Sequence, residues 1–231
     1  MKVAVMCCTL NEELNIERYC GVYSRFADII LICDGGSTDR TVELAKKYPK
    51  VEVVHFDELQ NPGGFPWNPK GKQHSFAYSA VIEYNPDWII VDECDSVPTL
   101  ALQENIRTLM EVEEGPDVIG AMRLYVLGKS QYFPALSLGG FYGWAHRAAT
   151  VNGDFDKALD NKHIRPYFPH PDTWRNINPP AALLHYGWPN ADVVDFKTKR
   201  YRAVKVLPAH GRAVPSDAGV AAPLPGWARW N

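Results

Sequence analysis

An α/β fold on a largely parallel sheet is the class that this 231-residue sequence predicts. Short apolar runs of strand length alternate with stretches whose apolar residues recur at helical spacing, the order expected of right-handed β–α–β crossovers. Acidic segments follow directly on two of those runs. Cys33-Asp34-Gly35-Gly36-Ser37-Thr38-Asp39-Arg40-Thr41 follows Ile29–Ile32, and Glu93-Cys94-Asp95 follows Trp88–Val91. Open α/β sheets bind ligands just past the carboxyl ends of their strands. The composition, 46% hydrophobic and 22% charged, is that of an ordinary globular chain.

Val3–Cys8 reads as the first strand. Ile16, Tyr19, Cys20 and Tyr23 then recur at i, i+3, i+4 and i+7, the stripe of an amphipathic helix. Ile29–Cys33 is the second strand, followed by a helix from Thr38 to Tyr48, and Val51–Phe56 is the third strand. After a Pro/Gly-rich loop, Ala77, Ala80, Val81 and Tyr84 mark another helical stripe. Trp88–Val91 is a fourth strand. Leu102, Ile106, Leu109 and Met110 define a helix after Pro98-Thr99. This first half is Rossmann-like. Val118–Leu127 alternates as a strand with one exposed face. Residues 128–180 are rich in aromatics, prolines and histidines without a sustained period, and so long an aperiodic stretch is usually functional. Ala181–Tyr186 reads as a short strand carrying His185, and Asp192–Val206 as a helix bearing Lys197, Lys199, Arg200, Arg202 and Lys205. The tail from Pro208, rich in Pro, Gly and Ala, is a loose or docking extension.

The net charge of −3 argues against a surface that coats nucleic acid or membrane, while leaving room for a local basic patch. There is no signal-peptide pattern, and no apolar run approaches the roughly 18 residues needed to span a bilayer. The expectation is a soluble, cytoplasmic protein. Cys7, Cys8, Cys20, Cys33 and Cys94 form no C-x-x-C pair, and an odd number favours free thiols packed as small apolar groups. If they lined a cleft, thiol reagents would inhibit.

Two glycines let backbone approach a ligand, and Ser37 or Thr38 can cap the helix that follows. Glu93 and Asp95, one residue apart, offer oxygens to a hard divalent cation, which neutralises a diphosphate. In an alternative register Asp92 is the first ligand and Glu93 is structural. Gly139-Gly140-Phe141-Tyr142-Gly143-Trp144 is either an aromatic platform for a sugar or base, or a core cluster.

Taken together, Thr9-Leu10-Asn11-Glu12-Glu13, the Asp34–Thr41 segment and Asp87–Asp95 resemble glycosyltransferase family 2, with the GT-A fold. The resemblance covers residues 1–127 well and the remainder loosely. It implies a mixed, mostly parallel, Rossmann-like sheet flanked by helices. A GT-A domain over 1–206 would divide into a nucleotide-sugar half, 1–127, and an acceptor half, 128–206, followed by a C-terminal extension, 207–231. It further implies a metal-dependent glycosyltransferase that moves a sugar from a UDP-linked donor to an acceptor hydroxyl with inversion, using Mn2+ or Mg2+. Thr9, Asn11 and Glu12 would line the base and ribose pocket, and Asp34 would accept the N–H of uracil. Asp39 would support the turn and the next helix. Lys72 would lie near the diphosphate or be an exposed helix lysine. Glu93, Asp95 and His185 would hold the metal, His185 otherwise being a hydrogen-bonded structural residue. An inverting transfer needs a carboxylate base. Asp172 and Asp154 are the candidates, although the family's Glu-Asp pair is not evident. The acceptor could be a glycan, a small molecule or a phosphate-bearing molecule such as modified DNA, the last suggested by the basic run from Lys197. Two other readings stay open. A sugar-nucleotide-forming nucleotidyltransferase would want a glycine-rich loop after strand one, which Thr9–Glu12 lacks. A nucleotide-sugar-binding protein without catalysis fits the missing pair.

Overall fold

A computed structural model describes residues 1–56, 67–112, 115–133, 141–150, 174–188 and 222–231. The chain forms two compact units. Unit 1 comprises Met1–Asp95, Asn105–Gly120 and Gly143–Arg175, and unit 2 comprises Ser96–Glu104, Ala121–Tyr142 and Asn176–Asn231.

Unit 1 is built on β1 (Val3–Thr9), β2 (Ile29–Asp34), β3 (Val51–His55) and β4 (Trp88–Val91), with α1 (Ile16–Tyr23), α2 (Thr41–Ala45) and α3 (Trp67–Ile82) in the connections. β4, β1, β2 and β3 lie side by side in that order and all parallel. Strands covered on both faces read as continuous apolar runs. All six residues of β2 are accordingly buried, as are all of β1 except the half-buried Cys8. On one face, Ala77, Tyr78 and Val81 of α3 pack with Ala4, Met6, Ile29, Leu31 and Phe56. Elsewhere in the core, Tyr19 and Tyr23 of α1 form a ring cluster with Phe26 and Trp144. The helical stripe expected from Ile16, Tyr19, Cys20 and Tyr23 is the buried face of α1.

Two expectations for unit 1 are corrected. The helix expected from Thr38 to Tyr48 is only Thr41–Ala45. Asp39 Oδ1 accepts the Thr41 N–H at 2.9 Å and Asp39 Oδ2 the Glu13 N–H at 3.1 Å, which binds residues 35–40 into a loop against the segment after β1. The aperiodic stretch 128–180 also contains β8 (Phe141–Arg147), which pairs antiparallel with β4 through Trp88↔Arg147, Ile89↔His146 and Ile90↔Ala145.

Unit 2 carries β5 (Ser96–Pro98), most of β6 (Val118–Leu127), β7 (Gln131–Tyr132), most of β9 (Trp174–Trp188) and β10 (Ala222–Pro223). β7 pairs antiparallel with β6 and with β10, and β5 pairs antiparallel with β9. β9 is much longer than the strand expected over Ala181–Tyr186, running through Pro179 and Pro180. Both prolines are exposed, where a missing N–H is tolerated. Helix α4 (Leu100–Met110) begins after Thr99, whose hydroxyl donates to Pro180 O at 2.9 Å and accepts from Ala182 N at 3.1 Å. The last residues dock in unit 2. Leu100 N donates to Arg229 O at 2.7 Å, and Gln103 Nε2 to Trp230 O at 2.9 Å. The helix expected over Asp192–Val206 lies outside the described residues. No helix among the described residues is long and apolar enough to cross a membrane.

Candidate active site

The carboxyl ends of β1 and β2 are tied into one platform. Asp34, 2% exposed at the end of β2, accepts Gly36 N at 3.0 Å and Ser37 N at 2.9 Å on Oδ2. Its Oδ1 accepts Ser37 Oγ at 2.5 Å and Thr9 Oγ1 at 3.4 Å. Gly36, with φ 90°, adopts the left-handed backbone that this tight turn requires. Asp34 therefore shapes the loop it begins, and a nucleobase contact through it would share oxygens already engaged. Asn11, itself at φ 55°, accepts Thr38 N on Oδ1 at 2.8 Å and donates its own N–H to Ser37 Oγ at 2.9 Å. Glu12 N donates to Thr41 Oγ1 at 2.7 Å, and Glu12 Oε2 accepts Asn15 Nδ2 at 2.8 Å. Burial works against the Asp39 carboxylate, yet hydrogen bonds from the Thr41 hydroxyl and the Thr41 and Glu13 amides prevail and hold its pKa below the usual value. Asp39 thus supports the turn.

α3 is pinned to these strand ends by Gln73, a residue the sequence reading passed over. Its side chain is 3% exposed and its Nε2 donates to Cys33 O at 2.8 Å and Thr9 O at 3.4 Å. Gln73 stands four residues before Ala77 and eight before Val81, on the same buried helical face. That spacing was the available signal. The neighbouring Lys72 is exposed.

At the end of β4 the chain divides its acids. Asp92 is 4% exposed and turned inward, with Oδ2 accepting Tyr23 Oη–H at 2.5 Å and Trp144 Nε1–H at 3.2 Å. Its Oδ1 accepts Glu93 N at 2.9 Å. Glu93 is exposed and Asp95 half-buried, while Cys94 between them is 3% exposed. This geometry favours Glu93 with Asp95 over the register that begins with Asp92. It also assigns Trp144, 1% exposed, to the core, so Trp144 is no part of an aromatic platform. The side chains of Phe141 and Tyr142 lie outside the described residues, as do Gly139 and Gly140.

Burial, then the mutual hydrogen bond and nearby acids, pushes the Cys94 thiol well up, and burial likewise raises Cys7. Neutral buried thiols are poor metal ligands and poor nucleophiles. All five cysteines are free, and only Cys8 is not buried.

In unit 2 the β5–β9 register sets His185 opposite Ser96, the residue that follows Asp95 in the chain. His185 is 8% exposed, with its ring centroid 5.0 Å from that of Tyr125. Its Nδ1 accepts Gly187 N at 3.2 Å, which leaves the ring proton on Nε2 in the neutral form. Coordination through Nε2 would require the proton on Nδ1, which would then no longer accept the Gly187 N–H. Carboxylate oxygens such as those of Glu93 and Asp95 suit Mg2+ or Mn2+, and an imidazole nitrogen as a ligand favours Mn2+ over Mg2+. Asp154, Asp172 and the Lys197–Lys205 run lie outside the described residues.

Neither a protein-family model nor a curated protein sequence matches the chain. Solved structures do. S. aureus TarS 1–349 superposes with a TM-score of 0.56 at 17% identity over 91% of this chain, and its complex with UDP-GlcNAc does so with 0.56 at 16%. Glucosyl-3-phosphoglycerate synthase from Mycobacterium tuberculosis, in complex with Mn2+, UDP and glucosyl-3-phosphoglycerate, gives 0.50 at 18% over 91% of this chain. The chain spans 66% of the TarS 1–349 length and 40% of a longer TarS structure. At these identities the likeness establishes the fold, and that fold is GT-A.

Proposed function

We propose that the chain is a metal-dependent glycosyltransferase that moves a sugar from a UDP-linked donor to an acceptor hydroxyl, with inversion at the anomeric carbon. The observation that carries this reading is the carboxyl edge of the parallel sheet in unit 1. There the bonded loops after β1 and β2 stand next to a β4 end that turns Asp92 inward and leaves Glu93 and Asp95 outside the core. In this reading Thr9, Asn11 and Glu12 line the base and ribose pocket, with Asp34 holding the loop in shape. Glu12 offers carboxylate oxygens to ribose hydroxyls, and Lys72 places positive charge near the diphosphate. Glu93, Asp95 and His185 hold the cation, His185 being included because its strand partner Ser96 directly follows Asp95. A bound Mn2+ or Mg2+ would neutralise charge on the departing nucleotide. The Mn2+, UDP and UDP-GlcNAc complexes of the structural neighbours support a uridine donor. Asp172 or Asp154 is proposed as the base that takes the acceptor's proton.

The test is thermal unfolding with nucleotides and metal. UDP with Mn2+ should raise Tm by roughly 5–10 °C at about a hundredfold excess over Kd. ADP with Mn2+, and UDP with EDTA, should move it far less. A Tm unmoved by every uridine nucleotide, or moved equally by ADP, would overturn the reading.

A further inference from the structure

Resting on that reading, we propose that Tyr23, Asp92 and Trp144 form a buried positioning device that sets the metal affinity of the loop beginning at Glu93. Three donors converge on the Asp92 carboxylate from different parts of unit 1: the Tyr23 hydroxyl of α1 at 2.5 Å, the Trp144 indole N–H of β8 at 3.2 Å, and the Glu93 amide at 2.9 Å. Trp144 Nε1 lies equally 3.2 Å from the Tyr23 oxygen, so the two anchors are also joined to each other.

Packing alone does not call for this arrangement. The preceding β4 residues Trp88, Ile89 and Ile90 are apolar and buried to 1% exposure or less, and an apolar residue at 92 would continue them without the penalty of burying a charge. A carboxylate there adds a fixed acceptor for the N–H of Glu93. The parallel ladder is already giving out at this point, the Asp92 N–H reaching Met6 O only at 3.4 Å. The chain therefore leaves β4 with its first peptide held by a side chain anchored on α1 and β8. Glu93 points outward from a peptide that cannot swing freely. Groups that orient metal-binding residues typically change metal affinity about 10–100-fold when removed.

The mild probe is Tyr23→Phe, which removes one donor and keeps the ring. The stronger probe is Asp92→Asn, whose amide N–H2 would face the Trp144 N–H. The pair Asp92→Asn with Trp144→Phe removes that donor–donor conflict. Mn2+ affinity in the presence of UDP is measured by titration, alongside metal-free UDP affinity, metal-free Tm and hydrogen exchange at the Glu93 amide. Tyr23→Phe should weaken Mn2+ about tenfold and speed exchange at Glu93, with metal-free UDP affinity unchanged. Asp92→Asn should weaken Mn2+ further, and the double variant should recover part of the loss. A lowered Tm with wild-type Mn2+ affinity and Glu93 exchange in both single variants would make the network merely structural and overturn the inference. If the wild type binds no Mn2+ with UDP, the functional reading falls and takes the inference with it, a result distinct from unaffected variants.

Discussion

His146, on β8, is 1% exposed, and burial pushes its imidazole pKa down to about 3, against an opposing hydrogen bond to the Gly143 carbonyl. The unfolded chain, with an ordinary histidine near 6.5, binds the proton first as pH falls. Stability from this group is therefore fully present above about 6.5 and is lost progressively as pH falls towards 3. Between pH 7 and 5 the loss should be about 2 kcal/mol. Urea unfolding at the two pH values should show it, and His146→Gln should flatten the difference. A pH dependence unchanged in the variant would contradict the burial argument. The Asp39 carboxylate, held below its usual pKa, acts in a lower window. Its contribution is present above the ordinary carboxylate value and lost only below it. The roles of Asp39 and of the free, mostly buried cysteines were legible from residue type and position. The inward turn of Asp92 was not, because Asp92, Glu93 and Asp95, interrupted only by Cys94, carry no period that says which acid faces the core. Asp34 was legible as a strand-end acid, but its four internal hydrogen bonds follow from a loop geometry that only the fold supplies.

Among the elements, α3 depends on Gln73 to lock it onto β1 and β2. Gln73→Ala would leave Cys33 O and Thr9 O without that donor in a buried setting, at about 1–3 kcal/mol. Chemical unfolding should show the loss, and a change under 0.5 kcal/mol, the size of a neutral surface substitution, would contradict the assignment. Elements with a clear apolar run or a helical stripe could be read directly. β4 and β6 match the expected residues, the stripes of α1 and α4 are where helical spacing put them, and Ala77, Ala80 and Val81 lie on α3 while Tyr84 falls just past its end. β5 could not be read, since Ser96-Val97-Pro98 is too short to show alternation and ends in proline. β9 was truncated in the sequence reading because Pro179-Pro180 resembles a break, whereas exposed prolines are compatible with a strand. β8 was missed because Phe141–Arg147 follows glycines and mixes aromatic, small and charged residues without clean alternation.

For the whole molecule, the alternation of strands and helical stripes made a largely parallel α/β sheet legible, and the GT-A fold followed from the resemblance of the strand-end motifs to glycosyltransferase family 2. The interleaving of the two units was not legible. The chain leaves unit 1 at Asp95 and enters unit 2 at Ser96, with no linker composition to mark the change. Unit 2 depends on long-range pairing such as Ser96↔His185, across a sequence separation that no local pattern encodes. In the proposed function Glu93 and Asp95 serve metal-dependent transfer from a uridine donor. The most direct measurement is UDP release from UDP-sugars with Mn2+, comparing the wild type with Asp95→Asn, alongside UDP affinity without metal. The wild type should release UDP only with metal, while Asp95→Asn should lose about a hundredfold or more of that rate and keep its metal-free UDP affinity. Full, metal-dependent turnover in Asp95→Asn would contradict it.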